Sequence, residues 1–184
     1  MISVLRSVIS STCLSTCLPA MAQCASAMAP SCGVYEACFA KYCPCDGDQD
    51  EYFISYGKKY CSAFLNDANL SDQGKRWRDK TLVCLQEKIV PKLDISNHPS
   101  CDCSAMKAFA FDVHVACYTQ PGASICDLPD SDVARIAWTV DFKDMFGAAG
   151  VSQMRKVSAI CATSAPDDGR RARWNALSAA LGSP

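Results

Sequence analysis

The sequence predicts an all-α, disulfide-stapled helical bundle with a cysteine-rich N-terminal part. Apolar residues recur at helical spacing along most of the chain, and no segment alternates apolar and polar residues as a half-buried strand would. Of the 184 residues, 14 are cysteines, far more than a cytosolic enzyme uses. A chain of this length can bury one core, and its formal net charge of −1 gives no reason to expect a nucleic-acid partner.

Residues 1–22 have the layout of a secretory signal peptide. Arg6 precedes a mildly apolar run, and Ala20-Met21-Ala22 forms a small-x-small cleavage site. The alternative is a frayed N-terminal helix. Cleavage before Gln23 would leave a single secreted domain over residues 23–184. No other stretch approaches the ~20 apolar residues that span a bilayer, so we expect no membrane anchor.

The cysteine count agrees with this interpretation. Removing Cys13 and Cys17 leaves twelve of the 14 cysteines, an even number that permits six disulfides. Residues 23–50 are dense in cysteine and too few to bury much apolar surface by themselves. We therefore expect cross-links to hold this subregion together.

The first predicted helices form a hairpin. An apolar stripe at helical spacing begins near Glu51. Residues 66–70 form the turn, Ser71 is a good N-cap for the second helix, and Pro91 limits that helix. The stripe on the first helix consists of Phe53, Tyr56, Tyr60 and Phe64.

Four further helices follow in the C-terminal half. One runs from about Cys103 to Cys117, and its expected inward face consists of Met106, Phe109, Ala110, Val113 and Cys117. Residues 128–132 form a strong helix start, and another helix begins at Val151. Residues 164–167 open the last helix.

An active site is hard to assemble from these residues. His98 and His114 are the two histidines, and neither has a metal-binding or catalytic-triad spacing, so we expect both at the surface or its boundary. The sequence contains no nucleophile elbow, zinc-protease motif or phosphate loop. We expect no catalytic residue, no metal ligand and no cofactor.

Three short motifs allow more than one interpretation. The pairs Cys43-Pro44-Cys45 and Cys101-Asp102-Cys103 could be metal thiolates or a redox pair, but a structural role is simpler in a secreted chain. Asn69-Leu70-Ser71 is a sequon for N-glycosylation and falls in the predicted interhelical turn.

Several residue strings, taken together, point to a known family. The hairpin carries C-x-x-F at residues 61–64, then Gln73-Gly74-Lys75, Trp77, Leu82 and Cys84. Downstream come Cys103, Cys117 followed by Tyr118, Phe142-Lys143-Asp144, and Cys126 with Cys161. In this order they resemble the stanniocalcins, which are secreted, disulfide-rich, helical glycoprotein hormones. The resemblance extends roughly from Cys24 to Cys161, with one residue fewer between Cys61 and Gln73 than in the family.

The resemblance implies a set of disulfides. Four are specific: Cys24–Cys38, Cys32–Cys61, Cys84–Cys117 and Cys126–Cys161. A fifth joins Cys43 or Cys45 to Cys101 or Cys103, and the remaining member of each pair can form a sixth.

The resemblance also implies a function. We expect a non-enzymatic, hormone-like protein that binds an extracellular protein, either a receptor or a protease, and is linked to calcium and phosphate homeostasis. One alternative is an inhibitor of an extracellular metalloprotease, which needs an unpaired cysteine, with Cys101 as the possible reactive thiol. A second alternative is a cysteine-rich metal-binding protein. No cysteine follows Cys161, where stanniocalcins have the one that links their dimers, so a monomer or a non-covalent homodimer is expected.

Overall fold

The computed structural model describes residue 24 and residues 30–145 and 147–182. Within these residues the chain is helical and has no strand, which confirms the all-α fold predicted from the sequence. The predicted signal peptide, residues 1–22, lies outside the described residues.

Eight helices, α1 to α8, make up the described part of the chain. α1 and the first half of α2 are π-helical, and short 3₁₀ turns follow α3 and precede α5. The bounds are α1 Tyr35–Ala40, α2 Phe53–Lys58 continuing as Lys59–Leu65, α3 Asp72–Ile89, a 3₁₀ turn Val90–Lys92, α4 Cys103–Tyr118, a 3₁₀ turn Ile125–Asp127, α5 Asp130–Thr139, α6 Phe142–Met145, α7 Ala148–Ser164 and α8 Asp168–Ala180.

The buried residues form two hydrophobic clusters. The first joins the cysteine-rich N-terminal part to α3 and α4, and its largest fully buried side chains are Phe39 and Phe53. The second joins the hairpin to α5, α7 and α8 around Ile136, Val157 and Trp174. Because α2 and α3 contribute to both clusters, the hairpin connects the two parts of the core.

Six disulfides reinforce these connections. Cys84–Cys117 joins α3 to α4, and Cys126–Cys161 joins a 3₁₀ turn to α7. The sequence left the pairing of the two C-x-C segments open. In the structure, Cys43 is bonded to Cys101 and Cys45 is bonded to Cys103. The remaining two bridges are Cys24–Cys38 and Cys32–Cys61.

The N-terminus of α3 holds a buried carboxylate. Asp132 of α5 is 2% exposed and accepts hydrogen bonds from the backbone N–H of Ser71, at 3.0 Å, and from the Ser71 hydroxyl. Ser71 Oγ in turn accepts from the N–H of Gly74 at 3.1 Å, as the predicted N-cap should. The positive end of the α3 dipole stabilises a negative charge at this place.

Gly74 is required by this contact because no side chain fits there. A Cβ atom at Gly74 would lie 2.6 Å from Asp132 Oδ2, well inside van der Waals contact. The neighbouring Gln73 donates from Nε2 to the Asp127 carbonyl oxygen at 3.0 Å. The Gln-Gly pair that helps to identify the family therefore serves to dock the start of α5 onto α3.

We expect Gly74→Ala to destabilise the protein, although alanine is the better helix former. The added Cβ must displace the Asp132 carboxylate, and overpacking of this kind costs about 1–3 kcal/mol. Denaturant unfolding of the oxidised protein measures the difference. Gly169→Ala in α8 is the control, because Gly169 is exposed and its Cβ would meet nothing closer than 3.4 Å. Wild-type stability in Gly74→Ala would contradict the argument.

Candidate functional site

α5 presents a tryptophan to solvent. Ile136 points inward with the second cluster, and Trp138 follows two positions later, which places it about 200° further around the helix. Trp138 is 87% exposed. A large aromatic side chain in contact with water is typical of an interaction surface, since its burial by a partner is strongly favourable.

An ion pair beside Trp138 links the α2–α3 turn to α5. Arg135 Nε donates to Asp67 Oδ2 at 2.7 Å, and the backbone N–H of Asn69 donates to Asp67 Oδ1 at 2.9 Å. The guanidinium of Arg135 holds the pKa of the Asp67 carboxyl below its usual range. Arg135 keeps much of its side chain in solvent, so the pair adds little stability and leaves a cation available to a partner.

The end of α2, the turn and α5 together enclose an open concavity of about 450 Å³. The predicted glycan acceptor Asn69 is exposed and lines this concavity together with side chains from α5. Tryptophan and arginine are the residues most enriched at the energetic centres of protein–protein interfaces. We call this surface the Trp138 face, and it is lined by Ala63, Asn66, Asp67, Ala68, Asn69, Arg135, Trp138 and Thr139.

The expectation that both histidines lie at the surface holds for His98, which is exposed in the loop before α4, and is wrong for His114. His114 is only 6% exposed. Of the residues predicted on the inward face of α4, Met106, Ala110 and Cys117 are buried, which confirms that part of the prediction. Phe109 and Val113 are only half-buried, and His114 takes the remaining buried position.

His114 is part of an aromatic cluster in the core. Its Nδ1–H donates to the Ala110 carbonyl oxygen, which leaves Nε2 as an acceptor 3.4 Å from the Tyr52 hydroxyl. The rings of Phe111 and Tyr118 lie 5.9 and 5.5 Å from its own, centroid to centroid. Burial lowers the pKa of His114 to about 4, so the ring is neutral at pH 7. Its role in this environment is packing.

The two C-x-C segments bring their sulfur atoms together. The Sγ atoms of Cys43, Cys45 and Cys101 all lie within 4.8 Å of one another. Because Cys101 is bonded to Cys43, however, it is not a free thiol, which corrects its assignment as a possible reactive thiol. Bridged sulfurs are also not thiolates, so this cluster does not supply the ligands that a cysteine metal site requires.

The fold and these sites define a class of protein: a helical domain cross-linked throughout by disulfides, as in proteins that mature in an oxidising compartment. In the described part of the chain, none of the helices combines the length and the hydropathy needed to cross a bilayer. The sequence profile of the stanniocalcin family matches residues 7–168. The chain therefore belongs to the stanniocalcin family, whose members are secreted, hormone-like glycoproteins, and the resemblance found in the sequence is confirmed. Searches of curated proteins and of solved structures gave no significant match.

We expect the buried His114 to make stability depend on pH. Its pKa is about 4 in the folded state and near 6.5 when unfolded, so the unfolded chain binds more protons between these values. The free energy of unfolding should therefore fall, by about 3 kcal/mol, as pH decreases from about 6.5 to about 4. The His114→Phe variant should lack this part of the decrease in the free energy of unfolding, as measured by denaturant unfolding at pH 7 and pH 4. His98→Phe is the control and should keep the full pH dependence.

We expect no titratable thiol among the twelve cysteines from Cys24 to Cys161. Alkylation of the denatured, unreduced protein should add no mass, whereas alkylation after reduction should add twelve groups. One group added to Cys101 without reduction would instead restore the hypothesis of a reactive thiol.

Proposed function

We propose that this protein is a secreted, hormone-like signal that acts by binding another extracellular protein rather than by catalysis. Membership of the stanniocalcin family supports the hormone-like and secreted character. The burial of His114 supports binding over catalysis, since it removes a potential acid–base group from solvent.

The exposure of Trp138 is the observation that carries this proposal to a particular surface. Covering a tryptophan buries about 150–250 Å², which at ~25 cal/mol per Å² is worth on the order of 4–6 kcal/mol before the costs of association. Arg135 beside it can pair with a carboxylate of the partner. We therefore assign receptor binding to the Trp138 face.

The physiological process is a finer proposal. It is supported by the resemblance to the stanniocalcins, which implies a role in calcium and phosphate balance. A hormone of this kind changes ion transport in its target cells, so calcium and phosphate uptake are the responses to measure.

Two further features belong to this proposal. Asn69 is exposed at the turn, where it can carry an N-linked glycan at the edge of the Trp138 face without disturbing the core. The protein acts as a monomer or a non-covalent homodimer, because the cysteines from Cys24 to Cys161 are all consumed in bridges within one chain.

Trp138→Ala is expected to weaken receptor binding at least tenfold, because truncation of a central tryptophan costs about 2 kcal/mol or more. The measurement is saturable binding of the labelled, secreted protein to responsive cells, together with their calcium and phosphate uptake. Ile160→Ala, at the other exposed large hydrophobic residue of the described chain, should bind within about twofold of wild type.

Three outcomes separate the parts of the proposal. Binding that survives mild trypsin treatment of the cells would contradict a protein receptor. Full binding by Trp138→Ala would move the receptor site away from the Trp138 face. Normal binding without any change in ion uptake would overturn the calcium and phosphate role alone.

A further inference from the structure

A second concavity lies inside the C-terminal half, on the opposite side of α5 from Trp138. It has a volume of about 120 Å³, is open on one side, and is lined mainly by α5, α6, α7 and α8, together with Tyr56 of α2 and Tyr118 of α4, whose hydroxyl contacts the Gln153 amide. Its wall is mainly apolar, with Ile136, Val157 and Leu177 among the side chains, and none of the described residues that line it is charged. A space of this kind favours an apolar, uncharged occupant.

Two polar groups on this wall have no partner. The indole Nε1–H of Trp174 is buried and makes no hydrogen bond, although the residue is only 2% exposed. The Oε1 atom of Gln153 is likewise buried and accepts no hydrogen bond. A buried donor or acceptor without a partner costs about 1–3 kcal/mol, so native proteins satisfy nearly all of them. Both residues line the same cavity.

We propose that this cavity is a binding site for a small, neutral, mainly apolar molecule that carries a hydroxyl group. A hydroxyl suits both unpartnered atoms, because it can accept from the Trp174 N–H and donate to Gln153 Oε1. The rest of such a molecule replaces empty space against the apolar wall.

The size and access of the cavity fit a single ring. An apolar cavity of about 150 Å³ holds one benzene molecule, so a space of about 120 Å³ that is open on one side suits a single six-membered ring whose substituent extends toward the opening. Ala137 lies at the solvent-exposed side, where the entrance is, and Met145 and Met154 flank the interior. Unbranched methionine side chains adapt their shape readily, which allows the wall to close around different rings.

A water molecule accounts for the features of this cavity less well than an organic hydroxyl compound does. A water molecule between Trp174 Nε1–H and Gln153 Oε1 would occupy only about 30 Å³ and would leave apolar side chains such as Val133 and Ile136 uncovered. An organic hydroxyl compound satisfies the polar atoms and fills the apolar space together.

The probe is 4-fluorophenol, followed by ¹⁹F NMR with the oxidised, full-length secreted protein. We expect saturable binding with a Kd of about 1 mM or tighter. Trp174→Phe keeps most of the ring volume and removes the donor, so it should weaken 4-fluorophenol about threefold to tenfold. The same variant should not weaken 4-fluorotoluene, which has no hydroxyl. Equal losses for both probes would overturn the recognition of a hydroxyl.

A second pair of variants tests the location. Ala137→Trp should block the entrance and weaken both probes at least tenfold. Ala134→Trp is the matched control, since Ala134 is exposed on the same helix but does not line the cavity, and binding should stay within about twofold of wild type. Because Trp174 and Ala137 lie on different helices, one variant stays informative if the other disturbs folding. No saturable binding to wild type, or equal losses in the two alanine variants, would overturn the proposal.

Discussion

The buried carboxylate of Asp132 is the contact on which the C-terminal half of the structure depends. A charge removed from water is costly unless hydrogen bonds replace its solvation. Ser71 supplies two donors, and the N-terminal end of the α3 dipole adds to their effect. This contact sets α5 against α3, and α5 then presents Trp138 to solvent and Ile136 to the interior. The exposed face and the cavity therefore both depend on the orientation that this contact gives to α5.

The hairpin transmits this arrangement to the N-terminal half, because it belongs to both clusters. Cys61 of α2 is bonded backward to Cys32, and Cys84 of α3 is bonded forward to Cys117. The short, cysteine-rich segment before α2 could not fold on its own apolar area. Disulfides bond this segment to α2 and to the start of α4, and both of these helices pack against the hairpin's second helix, α3, or form part of the hairpin.

The sequence predicted what depends on local patterns, and it failed where partners are distant in the chain. Helix types and most helix starts follow from spacing and capping residues, and the exposed turn at Asn69 was predicted in this way. The environment of His114 depends on Tyr52, 62 positions away, and that of Asp132 on a serine 61 positions away. The spacing of four residues between Ala110 and His114 was a signal for the buried histidine. Trp138 could have been noticed as an aromatic residue off the apolar stripe of its helix.

Cross-linking explains how the domain tolerates an incompletely filled interior. A cavity of about 120 Å³ costs about 3 kcal/mol at roughly 24 cal/mol per Å³. Closing the 35-residue separation of Cys126–Cys161 restricts the unfolded chain by an amount worth about 4 kcal/mol. This bridge holds the 3₁₀ turn of Ile125 to the helix of Val157, and both residues line the cavity. The disulfide raises the free energy of the unfolded chain by about as much as the cavity destabilises the folded one. The domain therefore stays stable without close packing at the place where a ligand can enter.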